Sequence, residues 1–262
     1  NFTVEDTGVL RVGDFSFSNW YFTQYGGKEG MINVVKAISR SNDIFFYKLG
    51  ELVGVDNLSK FAGKFGLGQT LGIDLLGEEK GLLPSSSWKK KEFGEQWYLG
   101  DTYHYAIGQG YLLTTPLQVN AWTAVIANDG VLPVPHVLKN QKSILRQAQD
   151  KNQKFLSGKT VDLIRQGMVK SCSPGGVAWP LFEFRIENSE LRIDGKNFKE
   201  IPISSGSADM REVSIACKTG TAEVGGKDVL SHAWITLFAP AYDPEIVITI
   251  LAENSGEGSN IA

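Results

Sequence analysis

The sequence predicts an α+β fold in which an antiparallel β-sheet is flanked by helices. Three observations carry that expectation. Helical spacing with recognisable start and stop signals fills most of the first two thirds of the chain. Three strand-like runs crowd into the last part of it. Between them there is no regular strand–helix–strand alternation and no internal repeat, which argues against a parallel sheet or a solenoid. With 262 residues, 42% of them hydrophobic and 21% charged, the chain is long enough to bury a substantial core and too apolar to be disordered. We expect one domain over residues 1–262, with an insertion at about 183–211 that holds a β-hairpin.

The elements follow in order. Val9-Leu10-Arg11-Val12 and Phe15-Ser16-Phe17 alternate around Gly13-Asp14, a hairpin signal. Gly26-Gly27 breaks the pattern, and from Met31 the spacing turns helical, with Met31, Val34, Val35 and Ile38 on one face. The polar stretch Ser39-Arg40-Ser41-Asn42-Asp43 interrupts this helix. A second one then runs through Ile44, Tyr47, Leu49 and Leu52, with Asn42 or Asp43 as its N-cap. Asp56 caps a third helix to Phe65, ended by Gly66 and Gly68. Residues 66–72 have G-x-G-x-x-x-G spacing with no hydrophobic strand before them, so they read as a glycine-rich turn and not as a dinucleotide loop.

Pro84 to Gly94 reads as polar loop. Thr115-Pro116, a cap followed by a proline at the first helical position, starts a helix to Asn128 that Gly130 stops. Lysines, an arginine and glutamines at 139–154 form a solvated surface segment. Ser157 opens a helix through Val169, closed by Pro174-Gly175-Gly176. Alternating residues between Phe182 and Ile201 flank Asp194-Gly195, the hairpin of the insertion. Val213 to Thr219, Ala233 to Phe238 and Ile246 to Leu251 are the strands of the late sheet.

Composition excludes several function classes. The net charge of −3 leaves no basic footprint for nucleic acid. No run reaches the roughly eighteen apolar residues that span a bilayer, the best being Ile246 to Ala252. Cys172 and Cys217 lack C-x-x-C spacing for zinc or redox work. One bridge in an oxidising compartment is open to them, but two separate buried thiols is the expected state. No metal cluster and no cofactor loop is present, so neither a metal nor a cofactor is expected. His104, His136 and His232 lack the G-x-S-x-G elbow of a Ser-His-Asp hydrolase and read as structural. Asn1 is not an initiator Met, and the chain closes on Gly-Ser-Asn-Ile-Ala without a capped last element, so both ends read as cut.

Two short motifs carry chemistry. Lys218-Thr219-Gly220-Thr221 lies on a predicted strand, where an ammonium, two hydroxyls and a side-chain-free glycine can meet one ligand. Glycine admits close backbone approach, and a strand edge can add a peptide as a further strand. Ser41-Asn42-Asp43 lies at a helix junction, where the residues serve as caps or as a proton-relaying hydroxyl with a hydrogen-bonding partner.

Together the motifs resemble the S-x-N and K-T-G elements of penicillin-binding proteins and class A β-lactamases. Longer blocks are similar to the class B penicillin-binding proteins. These are Asp43 to Leu49, Lys64 to Leu75, Ala106 to Gln118, Ile126 to Gly130, Cys217 to Glu223 and Phe238-Ala239-Pro240. The closest likeness is to elongation-type members, the penicillin-binding protein 2 group. The fold this implies is that of the transpeptidase and serine β-lactamase family.

The resemblance also implies a function, a peptidoglycan D,D-transpeptidase that crosslinks stem peptides through a serine acyl-enzyme. Ser41 would relay a proton to the leaving D-alanine, with Asp43 orienting it. Lys218 would supply positive potential, and the hydroxyls of Thr219 and Thr221 would bind the terminal carboxylate beside Gly220. The Thr221 N–H would form half of an oxyanion hole, and Gln109 would line the cleft wall. Asp43 stands where many members carry asparagine, and would tune neighbouring lysines upward. The S-x-x-K nucleophile motif is missing ahead of the elbow. Literal matches at Ser86–Lys89 and Ser87–Lys90 fall on the wrong side of it, so the nucleophile is expected upstream of Asn1 and this chain alone to be inactive. Implied partners are stem peptides, β-lactam antibiotics and a membrane glycosyltransferase of the shape or division type. The implied location is the extracytoplasmic face of the bacterial cytoplasmic membrane, with an anchor upstream. The rival readings are a non-catalytic scaffold on the same fold and a β-lactamase or β-lactam sensor domain.

Overall fold

The computed structural model describes residues 2–138, 154–182, 191–193, 196–198, 214–225 and 229–261. The expected basic segment, apart from Lys154, and most of the 183–211 insertion lie outside them.

At the N-terminus β1 (Thr3–Asp6) pairs antiparallel with β4 (Gly30–Asn33), and β2 (Val9–Val12) with β3 (Phe15–Ser18) as the expected hairpin. A short helix that sequence spacing did not announce, α1 (Trp20–Tyr25), fills the gap between them and ends at Gly26 with φ 66°. Met31 is not helical. It lies in β4, exposed, while Ile32 beside it is buried, the alternation of a strand. The helix α2 (Val34–Ser39) starts only after Asn33, whose side chain accepts the Lys36 N–H at 3.0 Å. Met31 to Asn33 carry local helical spacing, but pairing with β1, distant in sequence, makes them strand.

The helices α3 (Asp43–Val53) and α4 (Val55–Gly63) follow. Asp56 sits in the first turn of α4, where its charge suits the helix N-terminus, but Gly54 takes the cap position. Residues 86–93 form a helix, α5 (Ser86–Phe93), where a polar loop was expected. The Ser85 hydroxyl accepts the Trp88 N–H at 3.1 Å, and Gly94 stops the helix at φ 73°. Its buried anchor is Lys89, whose ammonium meets Asp101 at 2.6 Å. The remaining helices are α6 (Leu99–Ala106), α7 (Pro116–Ala127) with a Thr115/Gln118 capping box, and α8 (Gly158–Ser171) capped by Ser157. Gln118 is fully buried, and its amide nitrogen donates to the carbonyls of Gly66, Gln69 and Lys80. One side chain thus ties the glycine-rich turn to α7.

The insertion contains β5 (Leu191–Ile193) paired with β6 (Lys196–Phe198), the expected hairpin. The late sheet runs β7 (Ala216–Ala222), β8 (His232–Ala239) and β9 (Ile246–Ala252) in antiparallel order, before a short α9 (Gly258–Ile261). Lys218 therefore lies inside β7, not at its end, and pairs in register with Thr236 and through it with Thr249.

Val125, Ile126, Val161, Met168, Ala216 and Phe238 form a core between α7, α8 and the sheet. Each large side chain there contributes about 1.5–3 kcal/mol by leaving water. In the same layer the Thr236 hydroxyl joins those of Thr123 and Thr249 at 2.8 and 2.9 Å. A second core, Ile44, Tyr47 and Tyr103 with Phe17 against them, fixes α3. The cysteines are not separate thiols. Cys172, just past α8, and Cys217 on β7 form a disulfide with Cα atoms 5.9 Å apart. Sequence separation hid this, since the approach of α8 to β7 is a tertiary contact.

Candidate active site

Ser41 sits in the three-residue elbow between α2 and α3, at φ 50°, a left-handed conformation that a non-glycine residue holds only when its surroundings over-determine it. Those surroundings are polar and mostly buried. Asn42, fully buried, caps α3 by accepting the Phe45 N–H at 2.9 Å. Its amide nitrogen donates to the Asp6 carboxylate at 2.7 Å. The Asp43 N–H donates to Asn19 Oδ1 at 3.2 Å, and Asp43 Oδ2 accepts the Trp20 N–H at 2.9 Å. Preceding the elbow, the Arg40 carbonyl accepts from the Trp20 indole at 2.9 Å, while its guanidinium pairs with Glu29 at 2.6 Å and lies over Tyr21.

From the sheet, Lys218 reaches this elbow. Its Nζ donates to Ser41 Oγ at 2.8 Å and to the Thr219 carbonyl at 2.7 Å. Two motifs that lie 177 residues apart in sequence thus meet in one hydrogen bond. Burial lowers the Lys218 pKa to about 8, and the Asp43 carboxylate opposes that shift without reversing it. Asp43 was expected to tune Lys218 upward. The charge effect has that sign, but loss of water outweighs it. Burial likewise raises Asp43 to about 6, against the Trp20 N–H and the Lys218 charge, with Asp6 adding to the rise. The Tyr47 hydroxyl, one turn along α3, is pushed up by burial and by Asp43 and Glu223.

The other expected residues are placed differently. Side chains alternate along β7, so Lys218 and Gly220 lie on one face of the strand and Thr219 and Thr221 on the other. Thr219 is 9% exposed, and its carbonyl is the one that accepts from the Lys218 ammonium at 2.7 Å. The Thr221 hydroxyl accepts the Gly258 N–H at 3.2 Å. Gln109 does border the site. Its Nε2 donates to the Thr221 carbonyl at 2.7 Å, and its Oε1 accepts the Glu223 N–H at 3.3 Å, so it lies along the free edge of β7. Asp43 acts on the elbow through Trp20, Asn19 and the charge of Lys218.

Sequence reasoning missed Asp6, Asn19 and Trp20. Nothing local marks an acidic residue ending a four-residue strand as the hub of a buried network. The lysines of both serine–lysine matches in α5 are engaged by other groups, the Lys89 ammonium by Asp101 and the Lys90 ammonium by the Gly94 carbonyl. Among the described residues, no group of three His, Cys, Asp or Glu could hold a metal ion. His104 packs edge-on against Phe17, and His232 Nδ1 accepts the Asn254 N–H. Chemically the site offers a hydroxyl held against an ammonium of lowered pKa, beside a strand edge able to receive an extended peptide.

A family model describing the penicillin binding protein transpeptidase domain matches residues 1–262. The peptidoglycan D,D-transpeptidase MrdA of Escherichia coli is 32% identical over 242 residues, which cover 87% of this chain and 35% of that protein. Two solved structures are similar over 99% of the chain. One is the complex between penicillin-binding protein PBP2 and MreC from Helicobacter pylori, at 33% identity and a TM-score of 0.77, with 42% of that chain covered. The other is Pseudomonas aeruginosa PBP2 in complex with WCK 5153, at 30% identity and a TM-score of 0.78, with 50% of that chain covered. The chain therefore spans about a third to a half of the length of these relatives. The whole-chain match, together with a Ser41–Lys218 contact that joins its two motifs, places this protein in the penicillin-binding-protein transpeptidase domain family.

Proposed function

We propose that this domain catalyses D,D-transpeptidation of peptidoglycan stem peptides, with its nucleophilic serine and the lysine three residues after it supplied from sequence outside these 262 residues. The observation that carries the reading is the 2.8 Å hydrogen bond from Lys218 to Ser41. The serine attacks the penultimate D-alanine carbonyl and forms an acyl-enzyme, expelling the terminal D-alanine. An amine from a neighbouring stem then attacks and releases the serine. Ser41, held between Lys218 and the scissile amide, passes a proton to the leaving amine. Protonated Lys218 also attracts the substrate's terminal carboxylate. The Thr221 N–H on the β7 edge serves as one oxyanion donor, and such a donor is worth about 2.7–4 kcal/mol in the transition state. The Thr219 hydroxyl binds the substrate's terminal carboxylate as well, next to a backbone carbonyl that already touches the Lys218 ammonium. Gln109 lines the cleft beside Thr221. β-Lactams acylate the same serine as substrate mimics.

The Cys172–Cys217 bridge supports a location outside the cytoplasm, where disulfides persist. None of the described helices is long and apolar enough to cross a membrane, so the proposed anchor lies elsewhere in the protein. Partners of the shape-determining type, a membrane glycosyltransferase and an MreC-like protein, follow from the relatives. The test is labelling with a fluorescent penicillin. In the nucleophile-bearing protein, Ser41→Ala and Lys218→Ala should each slow acylation by roughly 100-fold, the usual scale for general acid–base groups. The 262-residue chain alone should take no label. Label at Ser41 or Ser86, or full-rate acylation of both variants, would overturn the assignment.

A further inference from the structure

Asp6 is 1% exposed and ends β1, yet its carboxylate collects four N–H donors and no acceptor. The Gly8 N–H reaches Oδ1 at 2.7 Å. Oδ2 accepts from Asn42 Nδ2 at 2.7 Å, Asn19 Nδ2 at 3.0 Å and the Glu29 N–H at 3.2 Å. Two of these donors govern the elbow. Asn42 stands between Ser41 and Asp43 and starts α3; Asn19 accepts the Asp43 N–H and leads into Trp20, which binds the Asp43 carboxylate. Resting on the transpeptidase reading above, we propose that Asp6 is a positioning residue that holds the Ser41–Lys218 relay in register from β1, through the amides of Asn42 and Asn19.

The physical need is plain. Ser41 is held at φ 50°, and a backbone in that region reverts unless neighbouring contacts fix it. Asn42 is locked from both ends of its side chain, by Asp6 through nitrogen and by the α3 N-terminus through oxygen. With Asp6 removed, its amide loses a buried acceptor and the elbow loses its fixed point. Asp6 also acts by charge, since it is one of the groups that raise Asp43. The groups facing Asp43 are the Lys218 ammonium from β7, Asp6 from β1, the Trp20 N–H from α1 and Tyr47 from α3 itself.

The test measures penicillin acylation of the nucleophile-bearing protein against pH, beside urea unfolding. Asp6→Asn should lower the acylation rate of the folded protein by roughly 100-fold, the scale of a relay displaced by about 1 Å. It should also move the acidic limb of the profile to lower pH, because a negative neighbour of Asp43 is gone. Asp6→Glu keeps the charge but lengthens the side chain, so the limb should stay while the rate stays low. A wild-type rate and profile in Asp6→Asn, or a loss that merely tracks the unfolded fraction, overturns the proposal. Should Asp6→Asn not fold, Asn42→Ser keeps an N-cap oxygen and removes only the arm to Asp6, and a wild-type rate there overturns it equally. A wild-type protein that takes no penicillin sinks the transpeptidase reading instead. The titration of the Lys218 ammonium by NMR then decides the positioning claim alone: altered in Asp6→Asn it stands, unchanged it falls.

Discussion

Asp43 and Lys218 are shifted in opposite directions by one cause, the removal of water from around a charge. For Asp43 the folded value of about 6 lies above the ordinary 3.8, so its stabilising contribution is complete at acid pH and is lost as pH rises through 6. The shift corresponds to about 3 kcal/mol at neutral pH. Lys218, with a pKa of about 8, stays protonated over that window and adds a nearly constant term. Asp43→Asn should therefore be more stable than the parent above pH 6, by up to about 3 kcal/mol, and no more stable near pH 4. Urea unfolding of both proteins at the two pH values checks this, and a stability gap that does not widen with pH would show the assignment of Asp43 to be wrong. On the proposed mechanism, with Asp43 ionised and Lys218 protonated in the working state, acylation should fall off below about 6 and above about 8. The sequence identified both residues by motif but misjudged which effect governs Lys218. Charges can be counted along a chain, whereas burial depends on how layers pack. The same limit hid Asp6, whose importance lies in two amides that reach it from distant segments.

At the scale of elements, the disulfide deserves a quantitative expectation. It joins the end of α8 to the residue before Lys218 and closes a loop of 45 residues. In the chain-entropy account such a loop is worth about 4 kcal/mol. Cys172→Ser with Cys217→Ser should lower unfolding stability by about that amount and loosen β7 where it carries the ammonium. A double variant as stable as the parent under oxidising conditions would mean the bridge contributes nothing to the fold. Elements that sequence announced had local signals: Thr115-Pro116 for α7, Ser157 for α8, alternation for β8 and β9. Those it missed lack them. In α5 the run Lys89-Lys90-Lys91-Glu92 has no apolar stripe, and the helix is held by the Ser85 and Gly94 caps and the burial of Lys89 against Asp101. In β4 the partner strand, not the local composition, decides the conformation. Likewise, strand alternation in β7 follows from its conformation, and it puts Thr219 and Lys218 on opposite faces of the strand although a four-letter motif presents them as one unit.

The whole molecule brings a helical layer bearing Ser41 against a sheet bearing Lys218, and α8 is the spacer between α2 and β7. The distance across that spacer is set by Gly167. A methyl group added there would stand 2.7 Å from Ile38 Cβ and 2.9 Å from its Cγ2, closer than packed carbons approach. Gly167→Ala should raise the intrinsic helix preference of α8 by about 1 kcal/mol. Overpacking of a tight core, however, costs about 1–3 kcal/mol, and α2 is the element that can yield. We expect net destabilisation together with slower penicillin acylation, because pushing α2 outward carries Ser41 away from a lysine anchored in the sheet and by the disulfide. Ile38→Ala combined with Gly167→Ala removes the clashing atoms and should recover most of the acylation rate, even though the cavity at position 38 keeps the double variant less stable than the parent. That separation of rate from stability is what a layer-spacing role requires. If the double variant stayed as slow as Gly167→Ala alone, the Ser41–Lys218 distance would have to be set by contacts other than the α2–α8 approach.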